Sequence, residues 1–392
     1  MLFPFLVGAF FFVSCKKCNN KEVETPGLEI KIPNPISVPV ENLISDYEII
    51  KLETTENSLF GEILQIFGMR DKLYVIDRNL TSVFIYSIQG KYLGKINNRG
   101  NGPAEYVNIG SFETDKINNR LLLTDSFSKR LFVYDEMGNL QETIPLDFTP
   151  NLIASDVSNR FIHLNSSSES KYANKDMRKH NVHVVNNNGE VIDCFLKDDT
   201  PNRIDIRTAQ SFALSDEGEL LFMPKLSDKV YVIKGANAEV YCTLNNQTDL
   251  KTVKLSDKKK IFYTYDKQNL EEYEKDGYLI SCGGFQANNS FLFFKFGWNV
   301  PVYTYYHKEF KQSISIYPEK LDGNKGLSMI FSRCPKLAFD EYFYIDIPWA
   351  IKDYVVSLIP DSKLKEELSE ITDDDNPCII RYKINEGLFL KN

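Results

Sequence analysis

Residues Leu73–Ile96 read LYVIDRNLTSVFIYSIQGKYLGKI, and residues Leu121–Ile144 read LLLTDSFSKRLFVYDEMGNLQETI. The two stretches match at an offset of 48 residues: an apolar run ends in Asp, a second apolar run follows, and a Gly-containing hairpin leads to a third run. Looser copies of this pattern begin at Phe161, Leu220, Phe291 and Tyr342. Short strands with Gly-marked hairpins, repeated about every 40 to 50 residues, are typical of β-propeller blades.

The first apolar run of each repeat predicts how the blades pack. Residues Leu73–Ile76 are all apolar, instead of alternating between apolar and polar. Such a strand is covered on both faces, as happens when blades stack against each other in a closed ring. We therefore predict an all-β, six-bladed β-propeller over residues 44–392, closed by Asp46–Leu52 as the missing strand beside Cys378–Ile384. A parallel β-helix or a pair of β-sandwiches is the alternative.

The composition excludes several classes of protein. The chain has 392 residues, of which 43% are hydrophobic and 26% charged, so it is not disordered throughout. Its formal net charge of −8 argues against a nucleic-acid binder, which would carry a basic stripe. Aromatic residues make up 13%, and this richness favours strands over helices.

Two stretches interrupt the repeat. Residues 245–278 are rich in charged side chains and predict an insertion before the fifth blade. Residues 349–375 have apolar residues at helical spacing, which predicts a short helical insertion in the last blade. Within it, Asp373-Asp-Asp375 has three carboxylates that suit calcium, but their spacing is not that of an EF-hand loop. We expect a solvated acidic turn there and no cofactor.

The N terminus predicts an export signal. Residues 1–15, MLFPFLVGAFFFVSC, carry no charge but are shorter than the roughly 20 residues of a membrane-spanning helix. The tetrad Phe12-Val-Ser-Cys15 resembles a bacterial lipoprotein processing box, which implies a lipid anchor on Cys15 and a place in the cell envelope, at the outer membrane. A buried N-terminal strand is the alternative. Residues 16–43, rich in Lys, Asn, Glu and Pro, predict a flexible tether.

The cysteines beyond Cys18 show no metal-ligand spacing. We expect them mainly to fill small apolar spaces at strand positions, although an exported protein can pair some of them. These residues are Cys194, Cys242, Cys282, Cys334 and Cys378.

One loop adds a resemblance to a known family. Asn98-Arg-Gly-Asn-Gly-Pro-Ala-Glu-Tyr106 is similar to the R-G-x-G-P-x-E-[YF] loop of six-bladed β-propeller lipoproteins from gut-type bacteria, whose repeats are related to NHL propellers. The closing Asn376-Pro-Cys-Ile-Ile-Arg-Tyr382 is a second, weaker match. The resemblance runs from Asp46 to the C terminus. It implies a fold and a location, because most members of that family have no known function.

The loops predict where a ligand would lie. In a propeller, the loops between blades and the loops between second and third strands share one face, where ligands usually bind. We expect Arg99, Asn101, Glu105 and Tyr106 of the glycine-rich loop to contact a ligand there, together with the aromatic Trp298. The alternative is that Arg99 and Glu105 lock blade one to blade two, and that Trp298 fills a gap between blades. The recurrent Asp77, Asp125 and Asp346 are expected to cap turns.

The sequence contains no catalytic signature. G-x-S-x-G, H-E-x-x-H, a phosphate-binding glycine loop and a dinucleotide fingerprint are all missing, and we assign no catalytic or metal-binding residue. We therefore favour a non-enzymatic module that binds a peptide, a glycan or a partner protein.

Two other functions stay open. One is a propeller hydrolase or lyase that uses carboxylates lining the channel on a carbohydrate or lactone. Converging carboxylates with raised pKa values would favour it. The other is a purely structural subunit with an apolar patch on the helices of the last blade.

Overall fold

The molecule is a ring of six sheets, each built on four antiparallel strands; the sheet of the fourth blade carries two further strands in parallel on its outer edge. A computed structural model describes residues 22–23, 27–79, 81–150, 152–156, 161–164, 180–197, 212–215, 217–224, 226–235, 237–253, 267–281, 284–297, 299–360 and 362–390. Each sheet is one blade, and the predicted six-bladed propeller is confirmed.

In blades one to five the four strands follow one another along the chain, whereas blade six takes its fourth strand from the N-terminal part of the chain. Blade one contains Ile63–Met69, Lys72–Asp77, Val83–Ser87 and Tyr92–Ile96. Blade two contains Ser111–Asp115, Arg120–Asp125, Arg130–Asp135 and Leu140–Pro145. Blade three contains Leu152–Ser155, Phe161–Leu164, His180–Val185 and Val191–Lys197. Blade four contains Phe212–Leu214, Leu220–Phe222, Lys229–Lys234 and Asn237–Asn246. Blade five contains Phe285–Ala287, Phe291–Phe296, Val302–His307 and Gln312–Ile316. Blade six contains Leu337–Phe339, Tyr342–Asp346, Ile379–Ile384 and Ile44–Ile50.

The ring closes in the last blade. Ile44–Ile50 pairs antiparallel with Ile379–Ile384, with Ile49 opposite Ile380 and Glu48 opposite Arg381. This pairing confirms the predicted closure, with the closing strand two residues nearer the N terminus than expected. First strands of consecutive blades contact one another, so they lie nearest the axis and line the central channel.

The segment before the closing strand belongs to the propeller body. Leu28–Ile32 pairs in parallel with the outer strand of blade four, where Ile30 and Ile32 are buried. Ile36 then bridges to blade five, and the short helix Val40–Leu43 leads into the closing strand. The structure therefore corrects the C-terminal part of the predicted tether. Its Pro and Lys content hid the alternation of apolar and charged residues in LEIKI, which is a strand pattern.

Side chains between neighbouring blades form the core. Phe67 of blade one packs edge-on against Phe112 of blade two, with 5.2 Å between ring centroids. Phe293 and Phe343 make the equivalent contact between blades five and six at 5.9 Å. Because each sheet buries both faces against its neighbours, the consecutive apolar runs of the repeat find partners only in the closed ring.

Three of the described helices lie in the predicted insertions. Trp349–Leu358 and Lys363–Ser369 confirm the helical insertion in blade six. In the insertion before blade five, the structure shows Lys251–Thr252, helix Lys267–Lys275 and Tyr278–Leu279. Further elements, not expected from the sequence, are helix Lys325–Phe331, the short 3₁₀ turns Pro318–Lys320 and Glu386–Leu388, and strand Glu22–Val23.

Two further predictions concern the acidic turn at Asp373–Asp375 and the cysteines. Asp375 accepts hydrogen bonds from the backbone N–H and hydroxyl of Thr372, at 2.9 Å each, as in a capped acidic turn. Cys194 is disulfide-bonded, whereas Cys242, Cys334 and Cys378 are free. Within the described ranges, no helix is long and apolar enough to cross a membrane, and no three His, Cys, Asp or Glu side chains could share a metal ion.

Candidate functional site at the central channel

The first strands of all six blades line a cavity of about 60 Å³ on the axis of the ring. Its wall is about equally polar and apolar, and the polar and charged side chains come mainly from blades two and five. The lining residues are Phe67, Gly68, Glu113, Thr114, Asp115, Lys116, Ile117, Ala154, Ser155, Phe212, Ala213, Leu214, Leu220, Gln286, Ala287, Leu337 and Ala338.

Glu113 is a buried carboxyl group in the cavity wall. It lies in the middle of the first strand of blade two and is 9% exposed. Its hydrogen-bond partner is the Thr114 hydroxyl, at a long 3.4 Å, and it makes no ion pair with any described residue. Burial raises the pKa of Glu113 to about 8. This shift favours the protonated form of the carboxyl group, which can donate a hydrogen bond.

Lys116 is the charged neighbour of Glu113. It follows the same strand, and its ammonium nitrogen lies 4.9 Å from the centroid of the Phe339 ring of blade six. Burial lowers the pKa of Lys116, while the charges of Glu113 and Asp340 oppose that shift. Among the described residues, no carboxylate lies within ion-pair distance of its ammonium group. Lys116 thus extends from blade two to blade six, where its ammonium group lies over an aromatic ring.

Gly68 makes room for that ring. A Cβ atom at Gly68 would lie 2.6 Å from the Phe339 ring, closer than any side chain tolerates. The glycine of blade one therefore lets the Phe339 ring pack against its backbone. Lys116 contacts the same ring.

Gln286 of blade five contributes an unpaired acceptor to the cavity region. It lies in the first strand of blade five and is 3% exposed. Its Nε2 donates to the carbonyl of Pro335 at 2.7 Å, which fixes the orientation of the amide. Among the described residues its Oε1 has no hydrogen-bond partner, and this oxygen is fully enclosed. A buried acceptor without a partner costs roughly 1 to 3 kcal/mol.

The other carboxylates near this end of the channel differ from Glu113. Asp115 accepts from Arg120 Nε at 2.6 Å and is neutralised by that pair. Asp340, in the first hairpin turn of blade six, is exposed, and partial desolvation raises its pKa. Both Glu113 and Asp340 are within electrostatic reach of Lys116. The cavity can therefore bind a polar molecule, and Glu113 is the one lining carboxyl group suited to proton donation.

This cavity opens toward a different side of the ring from the predicted site. We call the side with the turns between first and second strands the turn face, and the side with Arg99–Tyr106 and Asp125–Lys129 the loop face. Sequence reasoning searched the loop face and missed Glu113, Lys116 and Gln286. The available signal was the stretch Phe112-Glu-Thr-Asp-Lys116, in which charged residues occupy an inner strand that should be apolar.

The glycine-rich loop on the loop face is held mainly by its own backbone. Arg99 is exposed, and its Nε donates to the Val107 carbonyl at 3.2 Å. Glu105 accepts from the Gly102 N–H at 2.8 Å, and Arg130 of blade two donates to the Gly102 carbonyl at 2.8 Å. These contacts match the alternative in which the loop joins blades one and two. Asn101 is exposed on the same loop.

Tyr106 does not reach a ligand from this loop. Its side chain is fully buried beside Phe132, and its hydroxyl donates to the Thr81 carbonyl at 2.7 Å. The structure thus corrects its expected role: the ring packs between blades because it is the largest apolar group of the loop. Trp298 and Cys15 lie outside the described residues.

The three recurrent aspartates differ in their contacts. Asp77 accepts from the Thr81 and Ser82 backbone, at 2.9 and 3.1 Å, as expected of a turn cap. Asp125 caps its own turn through Phe127 N–H at 2.9 Å. Asp346 instead forms ion pairs with Arg333 and Lys336, at 3.4 and 3.1 Å.

Comparisons with known proteins agree with this architecture. A family model described as a domain of unknown function, DUF4934, matches residues 26–383. A Bacteroides fragilis protein described as a "putative exported protein" has a TM-score of 0.74 at 15% identity, covering 91% of this chain and 99% of that one. At this identity the likeness shows the fold alone. No curated protein matches the chain.

Two further solved structures are more distant. A member of the DUF4221 family from Bacteroides vulgatus has a TM-score of 0.47 at 11% identity, over 88% of this chain and 98% of that one. A catalytically inactive virginiamycin B lyase from Staphylococcus aureus has a TM-score of 0.38 at 10% identity, over 78% and 84%. Likenesses this low carry no argument about function.

Proposed function

We propose that this chain, which belongs to the DUF4934 family of unknown function, is an exported propeller that binds a small polar ligand in its central channel without transforming it. One observation carries the proposal. Glu113 and Gln286 are buried in the wall of the same cavity; Glu113 has a single long side-chain hydrogen bond, and Gln286 Oε1 has no partner among the described residues.

The energetics favour a ligand in this cavity. The free Oε1 of Gln286 costs roughly 1 to 3 kcal/mol as long as no donor reaches it. A small shift of the Gln286 side chain would bring this oxygen within reach of a ligand donor, and the hydrogen bond would then recover that free energy. The fixed amide of Gln286 and the packed Phe339 ring lose little conformational entropy on binding, because both are already held in place.

Two findings support export. The structurally similar Bacteroides fragilis protein is described as an exported protein, and disulfides such as that of Cys194 persist in oxidising compartments.

We propose in addition that Cys15 carries a lipid that anchors the propeller to the bacterial envelope, at the outer membrane. This part rests on the N-terminal sequence alone. Cys15→Ala should move the protein from the membrane fraction to the soluble fraction, and unchanged fractionation would contradict the anchor.

A second candidate function is a propeller hydrolase or lyase that acts on a carbohydrate or lactone. The raised pKa of Glu113, about 8, favours it because a general acid must hold its proton at working pH. The candidate needs a second group to attack or to abstract a proton. Asp115 is bound to Arg120, and Asp340 is exposed outside the cavity wall, so binding remains the favoured function.

A ligand screen tests the proposed function. The purified chain is screened by thermal shift against glycans, short peptides, small acids and small amines. Ligands that stabilise the wild type should lose their effect in Gln286→Leu, and the matched control Gln141→Leu, at an exposed position of blade two, should keep it. Equal stabilisation of both variants would place the ligand elsewhere. Conversion of a bound ligand would favour the enzyme.

A further inference from the structure

We propose that the turn face of the propeller lies toward the bilayer and that the loop face points away from it, an inference that rests on the proposed lipid anchor at Cys15. The observation behind it is the place where the chain leaves the propeller on its way to that anchor. Residues Glu22–Val23 and Leu28–Ile32 both pair in parallel with Asn237–Asn246, the outer strand of blade four. The anchored end of the chain therefore joins the body of the protein at one edge of one blade.

The N-terminal segment is fixed to the propeller body from residue 27 onward. Ile30 is fully buried, and a Cβ atom at Gly27 would lie 2.8 Å from the Val240 carbonyl oxygen, so the segment packs closely on blade four. The backbone N–H of Ile36 then donates to a carbonyl of blade five at 2.8 Å. Because these contacts hold the segment in place, the distance to a lipid is spanned by the residues that precede Glu22.

The pairing also sets the direction in which the chain leaves. Glu22 lies opposite Ala238, which directly follows the hairpin turn between the third and fourth strands of blade four. That turn is on the turn face, because the strands of a blade alternate in direction and the first-to-second turn lies on the same side. Leu28–Ile32 runs the other way along the blade, toward Asn246 at the loop face. Followed back to its start, the chain therefore leaves blade four at the turn face.

The length of chain before Glu22 decides between the two faces. Glu22 is seven positions after Cys15, and a fully extended chain covers at most about 3.6 Å per residue, or about 25 Å in total. The outer strand from Ala238 to Asn246 rises about 3.3 Å per residue, so its two ends lie about 26 Å apart. A bilayer at the loop face would require the chain to run back over that whole distance, which uses up its reach. A bilayer at the turn face requires no return.

Charge does not explain the orientation. The charged side chains on the described turns of the turn face include both signs: Arg70 is paired with Glu136 and Lys234 with Glu239, each at 3.2 Å, and Glu217 is exposed. Anionic headgroups attract clusters of Lys and Arg that stand without acidic neighbours. The orientation is therefore set by the length and exit point of the tether.

This orientation places the central cavity on the membrane side. Lys116 and Ile117, in the first turn of blade two, line that cavity at the turn face. A channel ligand then enters from the space between the propeller and the lipid. The Arg99–Tyr106 loop faces away from the membrane, where a soluble partner can reach it.

Energy transfer from a fluorophore on the protein to an acceptor lipid tests the orientation. The lipidated full chain, in vesicles of phosphatidylethanolamine and phosphatidylglycerol, carries the fluorophore on Glu217→Cys at the turn face or on Asp228→Cys at the loop face of the same blade; both positions are exposed. The signal of the unsubstituted chain, treated in the same way, is subtracted, and each variant must keep a native thermal melt. The two positions lie about 20 Å apart along the blade, so transfer from Glu217→Cys should be at least about twofold greater. Equal transfer, or greater transfer from Asp228→Cys, overturns the orientation.

A longer tether tests the cause. A Gly/Ser linker of about 20 residues inserted between Asn19 and Asn20 lets the chain reach either face, so transfer from the two labels should become equal. The same linker appended to the C terminus should leave the difference unchanged. If the difference persists with the long tether, the argument from chain length is wrong. Fractionation of Cys15→Ala tests the anchor and the ligand screen tests the channel, so the failure of either is distinguishable from a reversed orientation.

Discussion

The substitution Glu113→Gln should flatten the pH dependence of the free energy of unfolding. Burial raises the pKa of Glu113 from 4.5 to about 8, so the folded state holds its proton over a range in which the unfolded state has released it. Between these two values unfolding releases a proton, and the stability of the wild type therefore falls as the pH rises. Below about pH 4.5 the carboxyl group is neutral in both states and contributes no such slope.

The magnitude follows from the size of the shift. Each unit of pKa corresponds to about 1.4 kcal/mol, which sets an upper limit of about 5 kcal/mol for the loss between pH 4.5 and 8. Lys116 works in the opposite direction: its lowered pKa means that stability is gained as the folded state loses that proton at alkaline pH. We therefore expect a loss of about 2 to 5 kcal/mol in the wild type that is removed in Glu113→Gln.

Urea unfolding at pH 5 and pH 8 measures this difference directly. The wild type, Glu113→Gln and the exposed-site control Glu142→Gln are compared at constant ionic strength. The control should lose as much stability as the wild type between the two pH values. If Glu113→Gln loses the same amount as well, Glu113 is not held protonated by the fold and the reasoning about the cavity wall fails.

Three further substitutions test the packing that supports the site. Gly68→Ala should lower the free energy of unfolding by about 1 to 3 kcal/mol, because its Cβ would lie 2.6 Å from the Phe339 ring, and a melt like that of the wild type would contradict this fit. Ile30→Ala should cost about 2 to 4 kcal/mol in urea unfolding, while the exposed Lys31→Ala should be neutral; equal, small effects would mean that this segment is a tether after all. Tyr106→Phe removes the hydrogen bond to the Thr81 carbonyl and should cost about 1 kcal/mol without changing ligand binding, so a loss of binding with unchanged stability would restore its predicted role.

The repeat carried enough information for the architecture. Runs such as Leu73–Ile76 and Leu121–Leu123 are apolar at consecutive positions, and no isolated sheet can cover both faces of such strands. The pattern of apolar residues did not lead us to predict the strand at residues 28–32. The composition of the longer segment around it, rich in Pro, Lys and Asn, indicated a tether instead. The strand pairs with blade four, about 210 residues away in the sequence, and its short alternation of apolar and charged residues was the available signal.

The sequence by itself determined the number of blades, the closing strand and the insertion helices. Each of them follows from a pattern visible in the sequence: the repeat of apolar runs for the strands and the helical spacing of apolar residues for the insertion. The site depended on tertiary structure. Glu113 and Lys116 are three residues apart on blade two, whereas Gln286 belongs to blade five, and only the closed ring brings all three to one cavity wall. Burial by residues distant in the chain raises the pKa of Glu113, and the Phe339 ring of blade six contacts the ammonium group of Lys116. A pKa and an unpaired acceptor are properties of that enclosure, and no local pattern of residues encodes them.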